Sequence, residues 1–496
     1  MWAQLMSKAS GLFVKKSIKA LLDEAQSSQG GMKRTLGVMT LIAMGLGAII
    51  GAGIFALTGP AAALYAGPGI LLSLVIAAIV CALAALCYAE FSSLIPISGS
   101  AYTYAYATMG EFTAWIIGWG LTMEFIFSPS TVSVSWSAYF ISLLSDMGLT
   151  LPQALSKAPF DYSLSMGWSQ TGAFINLPAV IIVALIGGLV AVGIKAAASF
   201  NNIMVIVKIV AIILFVGCGF AYIKLDNLTP FIPSNTGIFG EFGISGVLRG
   251  AGLVFFAFLG FEALATMAQE CKNPQKDLPI GMIGSLGIST VVYMLIALVL
   301  VGIVSYTTLN VADPITVAVQ AMGSSFVWLR VVMKLAILAG LTSVILVMII
   351  GQSRIFYVIA KDGLLPKFLG HLHPSFKTPF NSTVLVTLVC MGLGGLFPVA
   401  ILGQLTSMGA LLAFTIVCFG ILVLRYKQPT LHRPFRTPFL PWVPLAGTLI
   451  CAVLMLAMPA VTWTQFIIWM ILGCIIYFSY GIKHSKVRLA LLEKKK

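Results

Sequence analysis

Met44-Gly45-Leu46-Gly47-Ala48-Ile49-Ile50-Gly51-Ala52-Gly53-Ile54-Phe55-Ala56-Leu57-Thr58-Gly59 is apolar enough to enter a bilayer, yet Gly stands at 45, 47, 51, 53 and 59. Gly is about 1 kcal/mol less favourable than Ala in a helix interior. A membrane span built from this stretch is therefore expected to open at Gly51-Ala52-Gly53. Opened backbone in hydrocarbon leaves N–H and C=O groups that each cost several kcal/mol unless something satisfies them. A bound solute can do so, with a carboxylate on the N–H groups of a half-helix and an ammonium on freed carbonyls. The alternative is a Gly-rich seam where two helices pack closely.

Working outward, the chain of 496 residues is 59% hydrophobic and 9% charged, with mean hydropathy +1.03. That excludes a water-soluble globule. A span needs about 20 apolar residues. Stretches of that kind lie near 36–59, 69–95, 112–144, 173–194, 199–222, 246–270, 279–304, 328–360, 381–397, 399–424, 440–459 and 463–482. The expectation is an all-α membrane protein with twelve transmembrane helices. The formal charge of +14 is distributed as topology demands. With the N-terminus inside, the cytoplasmic segments collect most Lys and Arg, from Lys15, Lys16, Lys19, Lys33 and Arg34 to Lys483, Lys486 and Arg488. The outside receives only Lys157, Lys224, Arg249 and Arg330. Positive-inside bias places both termini in the cytoplasm, so the basic balance does not point to nucleic acid. The eight Cys lie in or beside apolar stretches with no metal or redox spacing, and read as small apolar fillers.

Four units follow along the chain. Residues 1–32 interleave Leu12, Phe13, Ile18, Leu21 and Leu22 with Lys15, Lys16 and Lys19, a pattern that suits an amphipathic helix on the inner leaflet; a disordered tail is the alternative. Residues 33–425 form the core, 426–482 two appended spans that read as ordinary apolar helices, and 483–496 a basic cytoplasmic tail. Gly67-Pro68-Gly69 turns the chain between the first two spans. The connector from Tyr88 to Tyr106 is polar and aromatic without Lys or Arg, which suggests a segment packed against the protein.

Three ionisable side chains stand inside apolar runs. Glu124 shares a helix face with Ser128, Thr131 and Ser135. A carboxylate at membrane depth costs at least about 2.5–3.5 kcal/mol, so it marks a functional site or a structural ion pair. Pro129 is expected to bend that helix. Lys208 lies seven residues from Asn201 on one face, too deep to snorkel; it is a proton carrier or a charged strut. In the sixth span Gly260 precedes Glu262 by two residues. Spans one and six are thus interrupted and five apart, which matches an inverted repeat of five plus five spans, with halves at about 33–222 and 246–425. Thr342 and Ser343 sit midway along the eighth span, and Lys334 near its outer end is expected to snorkel. No nucleotide loop, zincin pair or nucleophile elbow appears, and the four His are scattered, so neither an enzyme nor a metal site is expected.

Several stretches together resemble the amino acid–polyamine–organocation superfamily, most nearly its cationic amino acid transporter branch, over nearly the whole chain. They are Gly51-Ala52-Gly53-Ile54-Phe55, Ile95-Pro96-Ile97-Ser98-Gly99-Ser100-Ala101-Tyr102, Phe256-Ala257-Phe258-Leu259-Gly260-Phe261-Glu262, Arg354-Ile355-Phe356-Tyr357 with Lys361-Asp362-Gly363-Leu364-Leu365-Pro366, and Arg433-Pro434-Phe435-Arg436-Thr437-Pro438. The resemblance implies a leucine-transporter-type fold with two C-terminal helices appended to ten. It implies a substrate carboxylate on the N–H groups of Ala52 and Gly53, and an ammonium facing the carbonyls of Ile49, Phe256, Ala257 and Leu259. Lys208 then serves proton coupling, reaching towards Gly51 and Ser343, and Glu124 lies near the substrate side chain. Glu262 stands where relatives carry Asp, and Gln269-Glu270 replaces a pair of acids. The implied activity is secondary active uptake of cationic or small neutral amino acids in the inner or plasma membrane, with a proton as coupling ion and no other cofactor. An obligate exchanger would use the same site, and a non-transporting nutrient receptor belongs to a different class. Oligomeric state is not legible.

Overall fold

The computed structural model describes residues 14–17, 34–51, 53–163, 167–311, 313–458 and 460–494. Helix α1 (Val38–Ile49) ends where the glycines weaken it. The backbone is irregular at Ile50 and Gly51, Ala52 lies outside the described residues, and winding resumes at Gly53–Leu57 as a π-helical turn, followed by Thr58–Ala61. A 3-10 turn over Gly67–Gly69 then leads into α2 (Ile70–Leu94). Gly67 takes φ +58 there, a left-handed conformation open to Gly at little cost. The polar connector folds as α3 (Ser100–Thr108), almost wholly buried, as its lack of Lys and Arg suggested.

The chain continues through α4 (Glu111–Asp146), α5 (Leu177–Val192) and α6 (Ile194–Phe220). The sixth span comprises α7 (Gly243–Val254), a 3-10 turn over Phe255–Phe258, a break at Leu259 and Gly260, and a 3-10 stretch over Phe261–Glu270. Then follow α8 (Pro274–Ile303), α9 (Val327–Lys361), α10 (Phe380–Leu396), α11 (Val399–Lys427), α12 (Trp442–Leu456) and α13 (Ala460–Ile476). Each apolar stretch read from the sequence therefore carries helix. Seven helical stretches are long and apolar enough to cross a membrane, and four shorter apolar helices accompany them. The 36-residue α4 is not among these, its Ser, Thr, Trp and Pro content diluting its apolar character.

Burial separates centre from periphery. In the stretch containing α9, 94% of the most apolar window is inside the protein, whereas for Ala460–Ala490 the share is 22%. Ile467, Ile468, Ile471 and Ile475 of α13 are exposed, as a lipid-facing surface requires. Helix α9 packs on α4 and α6, α8 packs on α1 and α2, and the Phe261–Glu270 half of the sixth span contacts both α8 and α9.

Three expectations need correction. The segment between α4 and α5 holds an antiparallel hairpin, Phe160–Ser163 with Gly167–Gln170, so the fold is not purely helical. It is polar and lies between spans, where water can satisfy a hairpin edge. Residues 14–17 are not helical: the Glu111 amide donates to Val14 O (2.9 Å) and Lys16 N to Tyr106 O (3.3 Å). Main-chain pairing with the protein replaces the expected amphipathic helix at these positions, and the rest of 1–32 lies outside the described residues. Lys334 does not snorkel; it is buried and pairs with Asp146 (2.5 Å) and Ser142 (2.9 Å) of α4.

Candidate functional site

A helix that stops in hydrocarbon leaves its last carbonyls without intrahelical donors. At the end of α1 three side chains from other helices supply them. Lys208 Nζ of α6 donates to Leu46 O (2.9 Å), Gly47 O (3.3 Å) and Ile50 O (2.9 Å), and lies 3.0 Å from Ser343 Oγ of α9. Ser343 Oγ in turn lies 2.8 Å from Gly47 O. Tyr293 Oη of α8 lies 2.7 Å from Ile49 O and 2.8 Å from Ala257 O. Lys208 thus meets Ser343 as expected, but takes the carbonyl of Ile50, one residue before Gly51. Asn201, on the same face of α6, donates to Ala43 O (3.1 Å).

The glycine-rich stretch combines a packing seam and an interruption of the helix, at different residues. A Cβ on Gly45 would fall 2.4 Å from Ser285 Oγ and one on Gly47 2.2 Å from Asn201 Oδ1, so these two form a packing seam. Gly53 begins the second half-helix, and its Cβ would fall 2.4 Å from the Cα of Ala257. The breaks of spans one and six therefore touch backbone to backbone. Of the carbonyls expected around an ammonium, Phe256 O accepts a weak bond from Leu259 N (3.3 Å), while Ile49 O and Ala257 O share Tyr293.

Glu124 and Glu262 are both 0% exposed, and their carboxyl groups lie against each other. Glu262 Oε2 accepts from Gly260 N (3.0 Å); neither oxygen of Glu124, nor Glu262 Oε1, meets a donor among the described residues. The other buried acids are provided for. Glu90 holds Arg425, Glu270 holds Arg354, Asp362 holds Lys16 and Tyr102, and Glu111 accepts from Tyr106, Tyr477 and Ser485. The ion-pair alternative for Glu124 thus finds no cation among the described residues. Thr131 and Ser135 bond back to their own helix at Phe127 O and Thr131 O, so the polar face of α4 narrows to Glu124 and Ser128.

At the end of span six the retained acid closes a contact. Glu270 grips Arg354 of α9 through two bonds, 2.8 Å to Nη2 and 3.1 Å to Nε, both side chains buried. Gln269, in place of the second acid, meets Ser98 Oγ through its main-chain N–H (3.2 Å), a bond that does not depend on its side chain. Thr35 N and Leu36 N donate to Glu270 O (2.9 and 3.0 Å), tying the start of span one to the end of span six. Beyond that end, burial and the Asp277 carboxylate push the Cys271 thiol up to about 12, which keeps it protonated and inert near neutral pH.

Sequence reasoning singled out both helix breaks, both acids and the amine, and did not single out Tyr293. Its only signal was a phenol inside an apolar span, where a buried hydroxyl must find a partner.

Residues 36–480 match the family model described as amino acid permease. A methylthioribose transporter of Bacillus subtilis (strain 168) is 43% identical over 476 residues, 96% of this chain and 99% of the relative. The branched-chain amino acid permease BcaP of the same organism is 42% identical over 477 residues, again 96% and 99%. The vacuolar cationic amino acid transporter 4 of Arabidopsis thaliana is 32% identical over 404 residues, 80% of this chain and 64% of the relative. All three are named as carriers rather than enzymes.

Proposed function

The chain belongs to the amino acid permease family of integral membrane transporters, and we propose that within it the chain is a proton-coupled importer of cationic or small neutral amino acids. In this reading the chain crosses the inner or plasma membrane twelve times, both termini inside, as two inverted five-span repeats and two appended helices. Alternating access exposes the hinge region to each side in turn. The substrate carboxylate rests on the half-helix that starts at Ala52 and Gly53, and the ammonium on carbonyls of Ile49, Phe256, Ala257 and Leu259.

The observation that carries the proposal is the Glu124–Glu262 pair, buried beside the second hinge with three of its four oxygens meeting no donor among the described residues. Two carboxyl groups in contact hold a proton or a cation between them. A guanidinium or ammonium side chain of Arg, Lys or ornithine fits that demand, and a small neutral substrate leaves the proton in place. Moving a cationic substrate inward gains about 2.3 kcal/mol per 100 mV of membrane potential. Lys208 serves coupling because its amine caps three carbonyls at the end of α1 and meets no carboxylate within salt-bridge distance among the described residues. Giving up its proton weakens its hold on that helix end, so proton binding and the state of the hinge are one equilibrium.

A second reading takes its support from the same carboxyl oxygens, which accept from hydroxyl groups as well as from an amine. A relative's name specifies methylthioribose, and a polyhydroxylated thioether is the alternative substrate here.

The test is uptake of labelled Arg, Ala, Leu and methylthioribose into proteoliposomes, with and without an inward proton gradient. Gradient-driven accumulation of Arg or Ala is expected, and Lys208→Ala is expected to lose the gradient dependence. Uptake only into amino acid-loaded liposomes would make the protein an exchanger, and uptake of methylthioribose alone would move the assignment to the sugar. Binding without uptake would make it a receptor.

A further inference from the structure

Tyr293 lies in the interior of α8, 0% exposed, its ring 5.0 Å from that of Phe258 between centroids. One phenol oxygen approaches two carbonyls that belong to different broken helices: Ile49, the last residue of α1, and Ala257, in the turn just before the second break. A phenol has a single proton to donate. Whichever carbonyl takes it, the other faces an oxygen lone pair at under 3 Å. Three oxygens therefore converge where the phenol supplies one hydrogen. Oxygens crowded in that way call for a donor from outside, and a cationic one is held most strongly.

A primary ammonium brings three N–H groups. It can donate to the carbonyl left without a proton, to the acceptor position of the phenol oxygen and to one further carbonyl, while the phenol proton stays on its own acceptor. An α-hydroxyl in the same place brings one hydrogen and leaves an oxygen pair unrelieved. We infer that Tyr293 Oη is an acceptor for the substrate's α-ammonium and a determinant of selectivity for amino acids over their hydroxy-acid analogues. The inference rests on the amino acid transport reading above. It adds a side chain from α8, which neither hinge contains, to an ammonium subsite otherwise built from main-chain carbonyls. It also explains why a tyrosine, whose oxygen both gives and receives, stands where phenylalanine would fill the same volume.

The experiment uses the full-length chain in proteoliposomes and compares wild type with Tyr293→Phe, which keeps the ring and removes the oxygen. Uptake of labelled L-alanine and L-arginine is measured, with L-alanine, L-lactate, L-arginine and argininic acid as competitors. Loss of a hydrogen bond to a charged group is expected to raise KM about ten-fold or more. The advantage of each amino acid over its hydroxy analogue should narrow by a similar factor, with the maximal rate changed little. Tyr293→His, which restores a ring atom able to accept, should recover part of the selectivity, and it stands in for the Phe variant if that protein does not fold. An unchanged amino-to-hydroxy ratio in both variants would overturn the inference while leaving transport intact. Equal losses for amino and hydroxy analogues with a lowered melting temperature would assign Tyr293 to packing alone. A wild-type protein that accumulates neither amino acid would overturn the transport reading and this inference together.

Discussion

Glu124 separates from the other buried acids by what surrounds it. Glu270, Glu90 and Asp362 each face a cation, and their removal would disturb structure first. Glu124 faces another carboxyl group. Glu124→Gln should therefore leave the melting temperature near wild type and cut Arg and Lys uptake about ten-fold or more, with a smaller effect on Ala, since a charge-assisted contact is worth about 1.5–3 kcal/mol. Equal losses for all three substrates in the uptake assay would make Glu124 structural. Glu124 and Lys208 are legible in the sequence because ionisable groups are costly in apolar runs. Tyr293 is not, because a tyrosine is unremarkable in a span until its two carbonyl partners are seen. The contrast between Glu124 and the paired Lys334 is likewise spatial, since the sequence does not say which acid lies across the helix gap.

The hinges are elements defined by what cannot be placed in them. Gly260 takes φ +123, and a Cβ there would fall 2.8 Å from Ala48 Cβ and 2.9 Å from Ala48 C. Gly260→Ala should lose about 1–3 kcal/mol of stability from backbone strain alone, read as a fall in detergent melting temperature, and should abolish uptake. Gly252→Ala, within α7 and with nothing within 4 Å of its Cβ position, is the control. It should be neutral or stabilising by up to about 1 kcal/mol, and a comparable loss there would mean that the first result reports helix α7 rather than the hinge. Both breaks could be placed from glycine position alone, because helix propensity and backbone sterics act locally. The 3-10 winding of Phe261–Glu270 could not, since it is set by contacts with α8, α9 and the start of span one. The hairpin at 160–170 was hidden for a related reason: its rings rest on Phe397, more than two hundred residues away in sequence.

Across the whole molecule, one acid fastens the appended helices to the core. Glu90, at 0% exposure near the end of α2, receives Arg425 through Nε and Nη2 (2.7 and 2.8 Å) and the amide of Thr437 (2.8 Å), with Arg433 Nε 3.1 Å away. The Arg433-to-Pro438 stretch, noted in the sequence as a signature, is thus a strap between α11 and α12 that closes on α2. Breaking a buried pair from one side costs about 3–5 kcal/mol. Glu90→Gln should accordingly lower the detergent melting temperature more than Glu124→Gln does, and the opposite order would remove Glu90 as the fastening point. That α9 lies at the centre and α13 at the rim was partly visible in the sequence, where polar residues punctuate the eighth span and are sparse in the twelfth. Which helices face each other was not.

Two stretches remote in order of synthesis meet at one end of the protein. Glu111 gives its amide to Val14 O and takes the hydroxyl of Ser485, 374 residues later, while Asp362 takes the Lys16 amine and, through its carbonyl, the Lys486 amide. A ribosome adding about 5–20 residues per second needs roughly 20–75 s to travel from Glu111 to Ser485. Throughout that interval Glu111 has Tyr106 and Val14 available as partners but lacks Ser485. Closure of that end therefore waits on the emergence of Ser485 and Lys486, and a chain stalled inside α13 lacks the bonds these two residues make to Glu111 and Asp362.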